Sequence, residues 1–171
     1  MTVTSTVPAA IAALQLKMQT VVTSPQLQYL NASVYVGGIT DEAFTDNYLA
    51  IGDPEGQGGL VENYVSKIQG FYSGGGPMNL SEDYTIVCSA RAWAGSLDED
   101  PTLRLTDAMA LLRGVQTQLA LDPKASDALG AGGVWQIGQM SNPVAGPMNG
   151  MGWGVLLDFT VLVQHVQLIN Q

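Results

Sequence analysis

Between Glu82 and Asp122 the chain changes its hydrophobic period from two to about 3.6. Tyr84, Ile86, Cys88, Ala90, Ala92 and Ala94 alternate with Thr85, Ser89 and Arg91, the pattern of a half-buried strand. Gly95-Ser96 ends it. Asp98-Glu99-Asp100-Pro101 then opens a helix: Asp100 can cap the orphan amides, Pro101 suits the first helical position, and the acids complement the positive helix end. Leu105, Met109, Leu112, Gln116 and Leu119 recur at helical spacing, flanked by Ala108, Leu111 and Val115, until Asp122-Pro123.

The same reading extends to both sides. After the cap candidates Thr4, Ser5 and Thr6, the stripe Ile11, Leu14, Met18 and Val21 or Val22 predicts an amphipathic helix that Ser24-Pro25 stops. Ser33–Val36 and Asn47–Ile51 read as short strands around an acidic loop with Asp41, Glu42 and Asp46. Leu60–Tyr72 fits either period; its aromatic and β-branched content favours a strand. With the strand after Gly74-Gly75-Gly76-Pro77 it makes a long hairpin, within a hairpin and loop region around 53–81. Val134–Met140 predicts a strand with Trp135, Ile137 and Gln139 on one face, and Asn142–Gly150 an exposed loop. The last strand puts Trp153, Val155, Leu157, Phe159, Val161 and Val163 on one face against Leu156, Asp158, Thr160, Leu162 and Gln164. The expectation is one α+β domain over 1–171, a mainly antiparallel sheet with two helices packed on one face.

Composition moves the search for function away from chemistry. The chain has 171 residues, 46% of them hydrophobic and only 12% charged, about half the usual charged share. Such scarcity suits a surface covered by other subunits, because charge is depleted at interface cores. Six basic residues, scattered without a stripe, face fifteen acidic ones for a net charge of −9. Phosphate neutralisation has no footing here, so nucleic acids and anionic membranes are not expected as binding partners. The single cysteine rules out an internal disulfide and fits a reducing compartment. The stretch Ala9–Val22 is too short to span a bilayer, and no signal peptide is expected, because the first basic residue, Lys17, falls inside that stretch. Synthesis in a cytoplasm follows as the expectation.

Candidate chemistry is thin. His165, the only histidine, reads as a structural residue, satisfied or partly exposed. A Cys88–His165 dyad is the one arrangement that would support a Cys-dependent hydrolase, but the apolar neighbours of Cys88 favour an inert thiol. One Cys and one His do not make a zinc site, and Asp41/Glu42/Asp46 lacks the calcium-loop spacing. Gly56-Gln57-Gly58-Gly59 and Gly74-Gly75-Gly76 have no Lys-Ser or Lys-Thr partner and read as loop tips. No catalytic, cofactor or metal residue is expected.

The layout of Met1-Thr2-Val3-Thr4-Ser5-Thr6-Val7-Pro8-Ala9-Ala10-Ile11-Ala12-Ala13-Leu14, the strand Tyr84–Gly95 and the Ala-, Leu- and Arg-containing helix from Pro101 to Asp122-Pro123 resembles the tail terminator (tail-completion) proteins of long-tailed, non-contractile bacteriophages, especially those of actinobacterial phages. Gly56–Pro77 and Asn142–Gly150 are longer or more neutral than that pattern. The resemblance implies a homo-hexameric ring in the virion, assembled in the host cytoplasm, which caps the tail tube, stops its polymerisation and meets the head-tail connector or neck protein. DNA would pass through the lumen without specific binding; no cofactor and no membrane are implied. A tail-tube or other neck or head-completion subunit is the alternative. Candidate contacts with partner subunits are Asp53, Glu55, Gln57, Tyr64, Lys67, Phe71 and Tyr72 on Asp53–Pro77, Met78 just after it, and Asn142, Met148 and Asn149 on Asn142–Gly150.

Overall fold

The computed structural model describes residues 5–38, 47–52, 58–69, 78–95, 100–129, 133–147 and 153–169. In chain order these form α1 (Val7–Val22), β1 (Ser33–Val36), β2 (Tyr48–Ile51), β3 (Val61–Gln69), β4 (Met78–Ala94), α2 (Pro101–Leu121), β5 (Val134–Met140), β6 (Val144–Pro147) and β7 (Trp153–Ile169). The seven strands make one sheet, antiparallel throughout except where β1 pairs parallel to β2. The α+β expectation holds.

The spine of the sheet is the β4–β7 pair. All 17 residues of β4, from Met78 opposite Ile169 to Ala94 opposite Trp153, are in register with β7. At about 3.4 Å per residue the ladder runs roughly 55 Å. The hairpin strand and the strand from Tyr84, separate in the sequence pattern, are thus one element. On the far side of β4, β2 pairs with Cys88–Arg91 and β3 with Asn79–Ile86. The chain leaves that edge where the Gly52 amide donates to the Val87 carbonyl and returns where Leu60 accepts from the Val87 amide. The far side of β7 is divided in the same way between β5 and β6. Here the expected loop Asn142–Gly150 is corrected: Val144–Pro147 is a strand. Pro147 is tolerated because an edge strand need not donate on its outer side.

Both helices lie on one face. Buried Ala10, Leu14, Met18, Val21 and Val22 of α1 and Ala108, Leu111, Leu112, Val115 and Leu119 of α2 meet Ile86, Cys88, Ala90, Ala92, Leu157, Phe159 and Val161 in a single core. Asp100 caps α2, its carboxylate accepting from the Thr102 amide at 2.9 Å. Asn47 ties β2 to its surroundings: its side chain donates to the Leu30 carbonyl at 2.6 Å and accepts from the Trp93 amide at 2.7 Å.

Candidate functional site

The face away from the helices divides into two ends. Near Ala94 it is closed: Tyr48, Ala50, Ser89 and Arg91 are all buried. The Arg91 guanidinium, 1% exposed, sits 5.6 Å from the ring centre of Tyr48 and 5.3 Å from that of Trp93, a cation–π arrangement on both. Toward Met78 the face is open. The ladder places Val65 beside Asp83, Val134 beside Gln164, and Lys67 beside Ser81, whose β7 partner is Val166. Val65, Val134 and Val166 are exposed there.

Between the two ends the edge strands are irregular on both sides at nearly the same level. In β3 the register slips between Glu62 and Val65, and Asn63 adopts a left-handed φ of 52°. In β5 it slips between Ile137 and Met140. Such irregularities bend a strand and re-aim its side chains. The sequence period puts Gln139 with Trp135 and Ile137; instead Gln139 lines the outer face, because the slip turns it over. Thr160 fastens this bend, its hydroxyl accepting from the Gln139 amide at 2.9 Å. A side chain at Gly138 would not fit: its Cβ would fall 2.5 Å from Thr160 Oγ1 and 2.9 Å from Leu162 Cγ.

The two bends enclose a cleft of about 480 Å³. Glu62 and Asn63 form one wall, Gly138 and Gln139 the other, and Thr85, Thr160 and Leu162 the floor. A second hollow of about 220 Å³ continues it toward Ser141 and Asp158.

A buried polar cluster lies on the helix side of the sheet. Glu82 is 1% exposed. Its Oε2 accepts from the Thr6 amide and the Thr6 hydroxyl, both at 2.8 Å, and its Oε1 from the Tyr64 hydroxyl at 2.7 Å. Burial alone would raise the Glu82 pKa; the donors from Thr6, Tyr64 and Ser5 outweigh it and hold the carboxyl below its ordinary value. Tyr84, 3.0 Å from the Thr6 hydroxyl, is pushed up to about 12, chiefly by burial. Thr6 occupies the N-cap position of α1 but makes no capping bond, because its hydroxyl is committed to the sheet. His165 is the register partner of Glu82, 2% exposed, and among the described residues neither of its ring nitrogens has a hydrogen-bond partner. Of the two expectations for this histidine, partial exposure is corrected: it is buried, and no described residue satisfies its ring.

His165 and Cys88 do not form a dyad. On β4 the partner of His165 is Glu82, six residues from Cys88, so the two side chains are separated by roughly 20 Å. Cys88 is fully buried, and burial pushes its thiol pKa well up. Among the described residues no group of three or more His, Cys, Asp or Glu side chains is placed to hold a metal ion. No described helix is long and apolar enough to cross a membrane.

Of the expected contact residues, Tyr64, Lys67 and Asn142 are exposed, on β3, on β3 and between β5 and β6. Tyr64 also serves the interior through Glu82 and through its ring, 6.1 Å from that of Tyr84. Met78 begins β4 opposite Ile169. Asp53, Glu55, Gln57, Phe71, Tyr72, Met148 and Asn149 lie outside the described residues, as do Asp41, Glu42, Asp46, Asp98 and Glu99. The structure does not bring the three described exposed positions into one patch. The cleft was missed by sequence reasoning. An isolated Gly138 inside a strand pattern was the available signal, since such a glycine marks a bulge or a close backbone approach.

No protein-family model matches the sequence, and no curated protein matches it.

Proposed function

We propose that the chain is a structural virion subunit of the tail-terminator kind, which closes into a ring on the end of a phage tail tube, stops its growth and joins the tail to the neck. The observation that carries this reading is the pair of unlike edges of the sheet. One edge is formed by β1 and β3, the other by β5 and β6. Among the described residues neither edge is paired further, and both carry exposed apolar side chains: Val36 and Val65 on one, Val134, Met140 and Val144 on the other. Unpaired strands with apolar side chains are templates for strand addition. Because the two edges differ, joining one to the other is heterologous, and heterologous contacts close into a ring when the rotation permits.

The reading gives the protein no catalytic role. Its net charge of −9 suits a ring through which DNA passes without adhering. Negative-stain imaging of the purified protein, alone and with tail tubes, tests it. Single rings with a central channel are the expected result. Long filaments would instead indicate a tube subunit, and monomers alone, even with tubes present, would refute the reading.

A further inference from the structure

We propose that the cleft between the two strand bends binds an arginine or lysine side chain carried on an extended segment of a different polypeptide. The walls of the cleft belong to the edge strands β3 and β5, but its floor of Thr85, Thr160 and Leu162 lies on the sheet face away from the helices, so an occupant is held by side chains on that face and not by strand addition at an edge.

The lining sets the ligand chemistry. Glu62 offers a carboxylate that makes no ion pair among the described residues, and the Asn63 and Gln139 amides on opposite walls each offer a carbonyl acceptor. A guanidinium, with five donors in a planar fork, can meet a carboxylate and flanking carbonyls together; an ammonium can meet the same groups as a point charge. Leu162 on the floor gives the methylene stem an apolar surface, which suits side chains that bury their stems and keep their heads polar. The volume of about 480 Å³ exceeds one side chain, and the adjoining hollow extends along the strand toward a second carboxylate, Asp158. That shape fits a stretch of backbone with the basic residue at its centre.

The occupant is assigned to another protein because this chain has little to offer its own copies. Of its six basic residues, Lys17 is paired with Asp122 at 2.7 Å, Arg104 with Asp107 at 2.9 Å, and Arg91 is buried; of the exposed three, Lys67 is on β3, the strand that forms one wall of the cleft, Arg113 is on α2 and Lys124 follows it, so none is carried on an extended segment free to enter the cleft of another copy.

Amide NMR of the full chain, titrated with a blocked Gly-Ser-Arg-Ser-Gly peptide and with its neutral citrulline counterpart, tests the proposal. Saturable shifts are expected at Thr85, Gly138, Gln139 and Leu162, with the citrulline peptide weaker by roughly three- to fivefold, the size of one partly exposed ion pair. Glu62→Gln should abolish that difference; because Glu62 is exposed, an unchanged melting temperature verifies the fold of the variant. The proposal is overturned by absence of saturation at about 20 mM peptide, by equal binding of the two peptides, by indifference to Glu62→Gln, or by shifts confined to other residues. The same shifts arising from concentrating the protein alone would overturn the assignment to a different polypeptide and give the cleft to a second copy.

Discussion

Thr6 reaches across from the start of α1 to Glu82 in the middle of the sheet, and both its amide and its hydroxyl donate to one carboxylate oxygen at 2.8 Å. The contact joins the helical layer to the sheet by charge-assisted bonds rather than by apolar packing.

Removing the charge while keeping the shape tests that contact. Glu82→Gln should cost about 1.5–3 kcal/mol at neutral pH, the range for hydrogen bonds to charged groups. The folded pKa of Glu82 is lowered, so its contribution is fully present above the ordinary value of 4.5 and is lost as pH falls through the folded value. Denaturant titrations of wild type and variant should therefore converge as pH is lowered below about 4.5. A constant gap across that range would show that charge is not what holds Thr6.

Gly114 on α2 faces α1 so closely that a Cβ there would lie 2.5 Å from Val21 Cγ1 and 3.2 Å from Leu27 Cδ1. An alanine gains helix propensity of about 1 kcal/mol over glycine, but overpacking costs about 1–3 kcal/mol. Gly114→Ala should be net destabilising by urea titration. Combined with Val21→Ala, the loss should be smaller than the sum of the single effects, since the second change vacates the colliding atoms.

At Gly138 the same arithmetic lacks a helix gain. Gly138→Ala should lower stability by about 1–3 kcal/mol and disturb the amide resonances of Gln139 and Thr160, because β5 must lift from the floor of the cleft. Native-like resonances at both positions would contradict the close approach.

Cys88 should resist a thiol reagent in the native state and react on denaturation, its burial disfavouring the thiolate. Rapid labelling of folded protein would contradict the core packing and reopen a thiol-dependent activity.

Assembly has its own test on the outermost strands. Val36→Lys and Val144→Lys place charge on exposed edge positions, so the melting temperature should stay nearly unchanged. Ring formation should fail in each, because charged edges discourage strand addition. Normal rings from both variants would move the contact away from these strands.

Most of the framework was legible because it rests on local periods. The alternation through Tyr84–Ala94 and Trp153–Val163 and the stripe from Leu105 to Leu119 lie where the sequence places them. Val144–Pro147 was not legible: four residues with a glycine and a proline carry no strand period, and their order comes from pairing with Trp153–Leu156. The cleft was hidden for a related reason. Its walls depend on two register slips that meet only because Glu62, Thr85 and Leu162 share one level of the ladder. The role of Glu82 was equally out of reach, since its donors Thr6 and Tyr64 come from remote parts of the chain.

The unbroken register of β4 with β7 also bears on how the molecule is made. Its two strands are separated by a helix and two further strands, so every pair in it is non-local and must await closure of a large loop. Acquisition of the native state should be slow for a chain of this size, with apolar strand surface exposed to aggregation while the two halves search for each other.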